Sequence, residues 1–507
     1  MTMINVSNLT FGYGGSEYNL FDNVSFRLDT GWRLGLIGRN GRGKTTLLNI
    51  LQGKLECHGR ITGLPDFIYF PFEIENEYDM GIDIIKEVAP YAELWQIKRE
   101  MNYMKLDEDI LYRPYCVLSG GERTKLQLIM LFLDEARFPL IDEPTNHLDM
   151  EGREIAAQYL SSKEGFILVS HDRSFLDNCT DHTMAINRSD IEITNVSFST
   201  WWEEKERKEQ FERTQNERLK KEIGQLQKSK EAAERWSNIS EKRKIGFDPK
   251  VTEKSIGRRS YEGAKSAKMM RHAKNMERRY DNKIEEKSQL LKNQERRQYL
   301  QITGEKHFSD LLVGAKNLVM NFPSSDGGDM QVNEPFEAEI KQGERYALNG
   351  SNGCGKSTFL KLLKGDEISY EGTLILASGL KISYVRQDAS DLTGTLKEIA
   401  FEYKIDESRF KSILSKMGFT EENLYMSTED LSQGQKKCVL LAASLCQEAN
   451  LFVWDEPLNY VDIYVRQAIE DMLSESDITM LFVEHDRTFV DKIATERLTM
   501  LANSKRD

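Results

Sequence analysis

The sequence predicts an α/β protein in which one unit occurs twice, the copies joined by a long α-helical coiled-coil hairpin. Three observations predict it. Four short motifs recur in the same order in both halves. Each first motif follows a strand-like apolar run and precedes a helix-like one. Between the halves lies a basic, helix-forming stretch without strand-like alternation. The expected boundaries are 1–200 and 301–507 for the two units and 201–300 for the hairpin, its turn at about 240–262.

The bulk composition agrees. A chain of 507 residues is too long for one core and suggests about three domains. A hydrophobic content of 39% supports packed units, and 30% charged residues imply extensive solvated surface. No apolar run approaches the roughly 18 residues of a membrane span. The opening MTMINVSNLTF lacks the pattern of a secretory signal. The six cysteines form no CxxC pair and no metal-ligand spacing with the seven histidines, so reduced thiols and a cytoplasmic location are expected.

The repeat is specific. GRNGRGKT at 38–45 is answered by GSNGCGKS at 350–357, and LSGGE at 118–122 by LSQGQ at 431–435. FPLIDEP at 138–144 is answered by LFVWDEP at 451–457, and VSHDRSF at 169–175 by VEHDRTF at 483–489. From Lys44, Ser119, Glu143 and His171 the offsets to the second copy are 312, 313, 313 and 314 residues.

Each GxxxxGK[ST] run sits where a phosphate-binding loop belongs. RLGLIG or RYALNG reads as a strand, and TTLLNILQG or STFLKLLKG as the helix after the loop. Gly38, Gly41 and Gly43, and likewise Gly350, Gly353 and Gly355, let backbone N–H groups turn toward phosphate oxygens. The helix N-terminus adds its dipole, and Asn40, Thr46, Asn352 and Thr358 fall within the same runs. Lys44 and Lys356 would reach the outer phosphates, and Thr45 and Ser357 would ligate Mg²⁺. Asp142 and Asp455 end apolar strands and suit the outer metal shell. Glu143 and Glu456, one residue on, suit polarising an attacking water. A carboxylate pair after a strand is also an ordinary helix cap, but not at this distance behind two such loops.

LSGGE, DEPTNHLD and SHD after a phosphate-binding loop resemble the ATP-binding cassette superfamily, in both halves. The resemblance implies a head-to-tail sandwich with each ATP between the loop of one cassette and the signature of the other. Lys44, Thr45, Asp142, Glu143 and His171 would then share a site with Ser432, Gln433 and Gly434. Lys356, Ser357, Asp455, Glu456 and His485 would share the second with Ser119, Gly120 and Gly121. Tyr13 and Phe322 resemble the family's adenine-stacking aromatics, and Gln387 its metal-associated glutamine. Three departures make the sites unequal: Phe72 stands where Gln387 stands in the other half, Gln433 replaces a signature glycine, and DEPTNHLD becomes DEPLNYVD.

Charge is segregated. Residues 201–300 carry 28 Lys+Arg and 18 Asp+Glu, a net of +10, inside a chain of net −13. Leu219, Ile223, Leu226, Lys230 and Ala233 step by fours and threes, as do Met269, Ala273, Met276, Tyr280 and Ile284. Two narrow seams separated by a Gly- and Pro-containing turn predict antiparallel helices of about 38 residues, on the order of 55 Å long. Lys242, Arg243, Lys244, Lys250, Lys254, Arg258 and Arg259 crowd the turn around Ile245 and Phe247. Basic side chains interleaved with aromatics suit phosphate contact and base stacking on RNA, although a solvated linker is the commoner fate of a charge run.

Twin cassettes, no membrane segment and a long charged hairpin resemble the ABC-F family. That resemblance implies a single chain using ATP and Mg²⁺ to bind the 70S ribosome at its tRNA exit site. It would need no permease, and the hairpin turn would meet 23S rRNA and the P-site tRNA. Spacings of 75 and 76 residues from loop lysine to signature serine leave no room for an arm insertion in the first cassette. This resembles the ribosome-protection, antibiotic-resistance subgroup. A housekeeping factor for stalled ribosomes and the ATPase subunit of a drug exporter remain as alternatives.

Overall fold

The structure is a computed structural model describing residues 3–13, 19–134, 136–187, 190–245, 299–323 and 329–503, with positions 268, 271, 274–276, 278–281 and 283 between them. It divides into two compact units. One comprises Met1–Trp201 with Arg297–Asp507, and the other Trp202–Arg296.

In the first unit each half builds the same pair of sheets. Phe67–Phe70, Phe138–Asp142, Phe166–Val169, Arg33–Gly38 and His182–Ile186 lie side by side in parallel, with Ile191–Thr194 antiparallel at the edge. The second half repeats the order with Ile382–Val385, Leu451–Asp455, Met480–Val483, Arg345–Asn349 and Glu496–Thr499, all parallel. Parallel strands have helices on both faces and read as continuous apolar runs. FILV and MLFV are buried at every position for that reason. An antiparallel sheet completes each half, centred on Met3–Phe11 or on Leu311–Pro323. There one face is wet: in FEAEIK the residues Phe336, Ala338 and Ile340 are buried and the acids between them exposed.

The ordering of the parallel strands places the carboxyl ends of Arg33–Gly38 and Phe138–Asp142, separated only by Phe166–Val169, at one crevice, the usual ligand position in open α/β sheets. The helices Lys44–Leu51 and Lys356–Lys364 leave that edge from Gly43 and Gly355, which have φ of 89° and 100°. A Cβ on Gly43 would lie 2.7 Å from Leu20 Cδ2 and 2.9 Å from Phe21 Cζ, so glycine is required by backbone and by space.

The helix Phe198–Ile245 starts at the end of the Met1–Trp201 stretch and continues as the second unit; it is 48 residues long, about 72 Å at 1.5 Å per residue. It is longer than the 38 residues expected. It begins three residues earlier than the proposed linker, with Phe198 and Trp201 buried, and stays helical through Ile245. Leu219, Ile223, Leu226 and Lys230 are half-buried, as are Met276 and Tyr280 on the returning segment, and Lys230 pairs with Asp281 at 2.7 Å. The side chains of Ala233, Met269, Ala273 and Ile284 lie outside the described residues.

Phe482 has no exposed surface and packs edge-on against Phe489 at 5.4 Å between ring centroids. Phe482→Ala is expected to destabilise the second cassette by about 3–5 kcal/mol, seen as a lower urea midpoint at unchanged slope. A loss under about 1 kcal/mol would mean that this core is not closely packed.

Candidate active site

The signature motifs LSGGE and LSQGQ are helix starts. Ser119 and Ser432 are N-caps whose hydroxyls accept from the N–H of Glu122 and Gln435, and those side chains reach back to the serine N–H groups. This reciprocal capping box fixes where each helix begins.

The two cassettes bring these helix starts to each other's phosphate-binding loops. On one side Asn40 N–H donates to Asp462 Oδ2 at 3.1 Å, and Asn40 Nδ2 donates to the Tyr460 carbonyl at 3.1 Å. Arg39 lies over the Tyr464 ring at 4.9 Å. A Cβ on Gly434 would approach Tyr460 O to 2.4 Å and Asn40 Nδ2 to 2.9 Å, so only glycine fits there. On the other side a cavity of about 490 Å³ is lined by Ser119, Gly120 and Gly121 from the first half. Asn352, Gly353, Gly355, Lys356, Ser357, Thr358, Gln387, Glu456 and His485 face them from the second.

Lys44 Nζ donates to Gly38 O at 2.8 Å and to Asn40 Oδ1 at 3.3 Å, and Lys356 Nζ donates to the Gly350 and Ser351 carbonyls. Gly41 has φ of 78°. Thr45 Oγ donates to Asp142 Oδ2 at 3.3 Å, and Ser357 hydrogen-bonds Asp455. Tyr13 leans against Phe11 with its hydroxyl 2.9 Å from Thr46 Oγ, which places it beside the first loop. Phe322 lies on the strand Leu311–Pro323, but its side chain is outside the described residues. At the hairpin turn, Lys242, Arg243, Lys244 and Ile245 are described in backbone only. Phe247, Lys250, Lys254, Arg258 and Arg259 lie outside the described residues altogether.

The carboxylate pairs end the strands Phe138–Asp142 and Leu451–Asp455. Glu143 and Glu456 follow with φ of 53° and 44°, a left-handed turn that sends each carboxylate toward the histidine of its own cassette. His171 Nε2 lies 3.5 Å from Glu143 Oε1 and His485 Nε2 lies 3.4 Å from Glu456 Oε1. The environments then diverge. Gln387 Nε2 donates to Glu456 Oε2 at 2.9 Å, and Asn459 donates to the same oxygen. Burial is the largest single influence on Glu456 and would raise it. The hydrogen bonds of His485 and Gln387, with the charges of His485 and Lys437, nevertheless hold it below the usual carboxylate value. In the first half Phe72 occupies the place of Gln387, and no hydrogen bond reaches Glu143 Oε1. Burial, then the charge of Asp142, push Glu143 up to about 8 against the pull of Arg466 and Lys44. Burial likewise holds His171 neutral, far below its ordinary value.

Several residues at the sites escaped the sequence reading. Tyr69 donates to Asp142 Oδ2 at 2.7 Å, and Arg466 bridges to Asp486 at 3.5 Å while its guanidinium donates to the Leu458 and Val461 carbonyls. Tyr69 recurs as Tyr384 and Arg466 matches Arg153, so comparing the two halves position by position would have exposed both. Lys437 and Glu470 have no such signal, because Thr124 and Ala157 stand at the matching positions; Asp462 and Arg173 recur as Asp149 and Arg487, so the same comparison would have exposed them.

Among the described residues no group of three or more His, Cys, Asp or Glu side chains would by itself hold a metal. The donors fit a cation shared with a phosphate instead: a hydroxyl beside a carboxylate in each site, with Asp455 Oδ1 buried and without a hydrogen-bond partner.

Two phosphate-binding loops, each facing a helix start from the other half, define a twin-cassette P-loop ATPase. Comparison with known proteins agrees. The ABC transporter family model matches residues 21–146 and 334–459. The ribosome protection protein VmlR of Bacillus subtilis is 25% identical over 99% of this chain and 87% of its own length. The ATP-binding protein Uup of Caulobacter vibrioides is 29% identical over 95% of this chain and 74% of its own. In fold the chain is similar to the archaeal ribosome recycling factor aABCE1, solved with stalk protein aP1, with TM-score 0.61 and 21% identity over 97% of this chain and 89% of that one. No helix among the described residues is long and apolar enough to cross a membrane. The chain is an ATP-binding cassette ATPase of the ABC-F family.

The buried Glu143 has a consequence for stability. Its folded pKa is raised above the unfolded value of about 4.5, so its contribution is fully present below pH 4.5 and is lost as pH rises toward 8. Glu143→Gln is neutral throughout and escapes this loss. The melting temperature of Glu143→Gln should therefore exceed that of the wild type by a margin that widens from pH 5 to pH 8. A constant or narrowing margin would refute the buried, uncompensated carboxylate.

Proposed function

We propose that the protein is an ATP-driven ribosome factor of the protection type. It binds the vacant tRNA exit site of the 70S ribosome and presents its hairpin turn to 23S rRNA and the P-site tRNA near the peptidyl-transferase centre, countering antibiotics bound there. The observation that carries this reading is the segregation of charge: +10 over residues 201–300 in a chain of net −13, on a helical stem of at least 48 residues. The family membership and the likeness to a named ribosome protection protein over 99% of the chain support it. A cytoplasmic location follows from the same reading.

In this mechanism ATP is the substrate, taken between the loop of one cassette and the signature of the other. Lys44 and Lys356 neutralise its outer phosphates, and the N–H groups of Gly41, Gly43, Gly353 and Gly355 cradle them. Thr46 and Thr358 begin the helices behind, and Tyr13 and Phe322 lie against the base. Ser119, Gly120 and Gly121 on one side, and Ser432, Gln433 and Gly434 on the other, close over the terminal phosphate with helix N-terminal N–H groups. Thr45 with Asp142, and Ser357 with Asp455 and Gln387, would hold a Mg²⁺ ion, which would supply positive charge beside the transferring group. Glu143 and Glu456 orient the attacking water, and His171 and His485 steady the glutamates. Glu456, held ionised, is ready to accept a proton from the water; Glu143, buried beside Asp142, must first lose its own. ATP favours the closed arrangement because only that arrangement offers it both walls of each site. At the turn, Lys242, Arg243, Lys244, Lys250, Lys254, Arg258 and Arg259 neutralise RNA phosphates while Ile245 and Phe247 press on nucleotides.

The reading is tested by sedimenting the Glu143→Gln, Glu456→Gln double variant with 70S ribosomes. Co-sedimentation should require ATP and weaken by on the order of tenfold or more between 50 and 200 mM salt. No binding under any nucleotide condition would overturn it. Charge reversal of Lys242, Arg243 and Lys244 should abolish drug protection while sparing ATPase activity. A factor for stalled ribosomes instead would bind equally well, yet its deletion would leave drug susceptibility unchanged.

A further inference from the structure

We propose that Lys437 is a positioning residue of the second composite site, clamping the loop that carries Gln387 to the strand end that carries Asp455 and Glu456. The proposal rests on the assignment of the two glutamates made above and deepens it.

Lys437 is 1% exposed, on the helix Gln433–Cys446. Its ammonium donates to three backbone carbonyls: Arg386 at 2.7 Å, Gln387 at 3.0 Å and Asp455 at 3.1 Å. An ammonium has three N–H donors and no acceptor, so this nest of carbonyls satisfies it completely. Two of those carbonyls belong to the glutamine loop and the third to the residue before Glu456. The clamp therefore fixes the distance between two backbones whose side chains meet in the 2.9 Å bond from Gln387 to Glu456.

The clamp belongs to one cassette only. Aligning LSGGE with LSQGQ puts Thr124 where Lys437 stands. In the first half the corresponding loop is tied by Gln127, whose Nε2 donates to Phe72 O at 3.1 Å and to the Tyr115 hydroxyl at 3.0 Å. That tie reaches neither Asp142 nor Glu143. Lys437 also lies five residues beyond Ser432, on the helix whose start faces Asn40 of the first loop. One rigid turn of helix thus joins the wall of the first site to the chemistry of the second.

The test is steady-state ATP hydrolysis by the full chain. In a Glu143→Gln background, which leaves turnover to the second site, Lys437→Met should lower kcat about tenfold or more, because a misplaced carboxylate costs rate steeply. KM for ATP should stay within about twofold, since Lys356 and the glycine loop are untouched. If Glu143→Gln abolishes turnover, the sites fire together, and the same fall must appear in the otherwise unaltered chain. Lys437→Gln keeps two N–H donors and should recover at least a third of the lost rate. The proposal is overturned if Lys437→Met keeps kcat within twofold, if KM rises in step with the loss, or if Lys437→Gln is no better than Lys437→Met. Wild-type turnover by the Glu143→Gln, Glu456→Gln double variant would instead refute the assignment of the glutamates, whatever Lys437 does.

Discussion

Each site is organised around the cost of taking two adjacent carboxylates out of water at the end of a fully buried strand. Burial pushes both acids of a pair toward the neutral form, and their proximity adds to it. A site that hydrolyses ATP needs at least one of them ionised, so cations and donors must converge from other elements. Around Glu456 they do, in Gln387, Asn459, His485 and Lys437. Around Glu143 the first half offers His171 held neutral, and the remaining help is the distant charge of Arg466 and Lys44. Two sites built from one repeated sequence thus start from opposite electrostatic positions.

The interface between the cassettes carries the same inequality. Arg39 stacks over Tyr464, and Arg173 reaches the buried Glu470 at 3.3 Å, where Lys492 also pairs with it at 3.1 Å. The corresponding positions on the opposite side are Ser351 with Glu151, which offer neither ring nor guanidinium, and Ala157 with Arg487, where the carboxylate is missing. Arg487 turns instead to Glu154, an exposed pair at 3.4 Å that contributes little in water. Near the join, Asp172 and Asp486 repel each other, each held by its own arginine, Arg153 at 3.0 Å and Arg466 at 3.5 Å. The interface is braced on one side by buried contacts and on the other by solvated ones.

Much of this was legible beforehand. The repeat, the two loops with their lysines, the carboxylate pairs and the histidines all stand in short contiguous motifs, because a phosphate loop or a strand-end acid is a local device. The hairpin seams were legible for a related reason: a 3.6-residue period shows in any amphipathic helix, and Leu219, Ile223, Met276 and Tyr280 are half-buried as that period implies. The helix runs longer than its seam predicts. The apolar Phe198 and Trp201 that start it lie before the charge run that drew attention to it. Residues such as Lys437 and Glu470 carried no local signature at all.

The α/β class, the duplication, the two phosphate-loop motifs and the segregation of charge are all present in the sequence, since each depends on residue type at short spacing. Which loop faces which signature, which glutamate is compensated, and which half is braced across the interface emerge from packing alone. The reason is physical. Compensation of a buried charge is summed over every element that packs against it, and Lys437 reaches Arg386 and Gln387, about fifty positions earlier in the chain, only because two strands and a helix converge there.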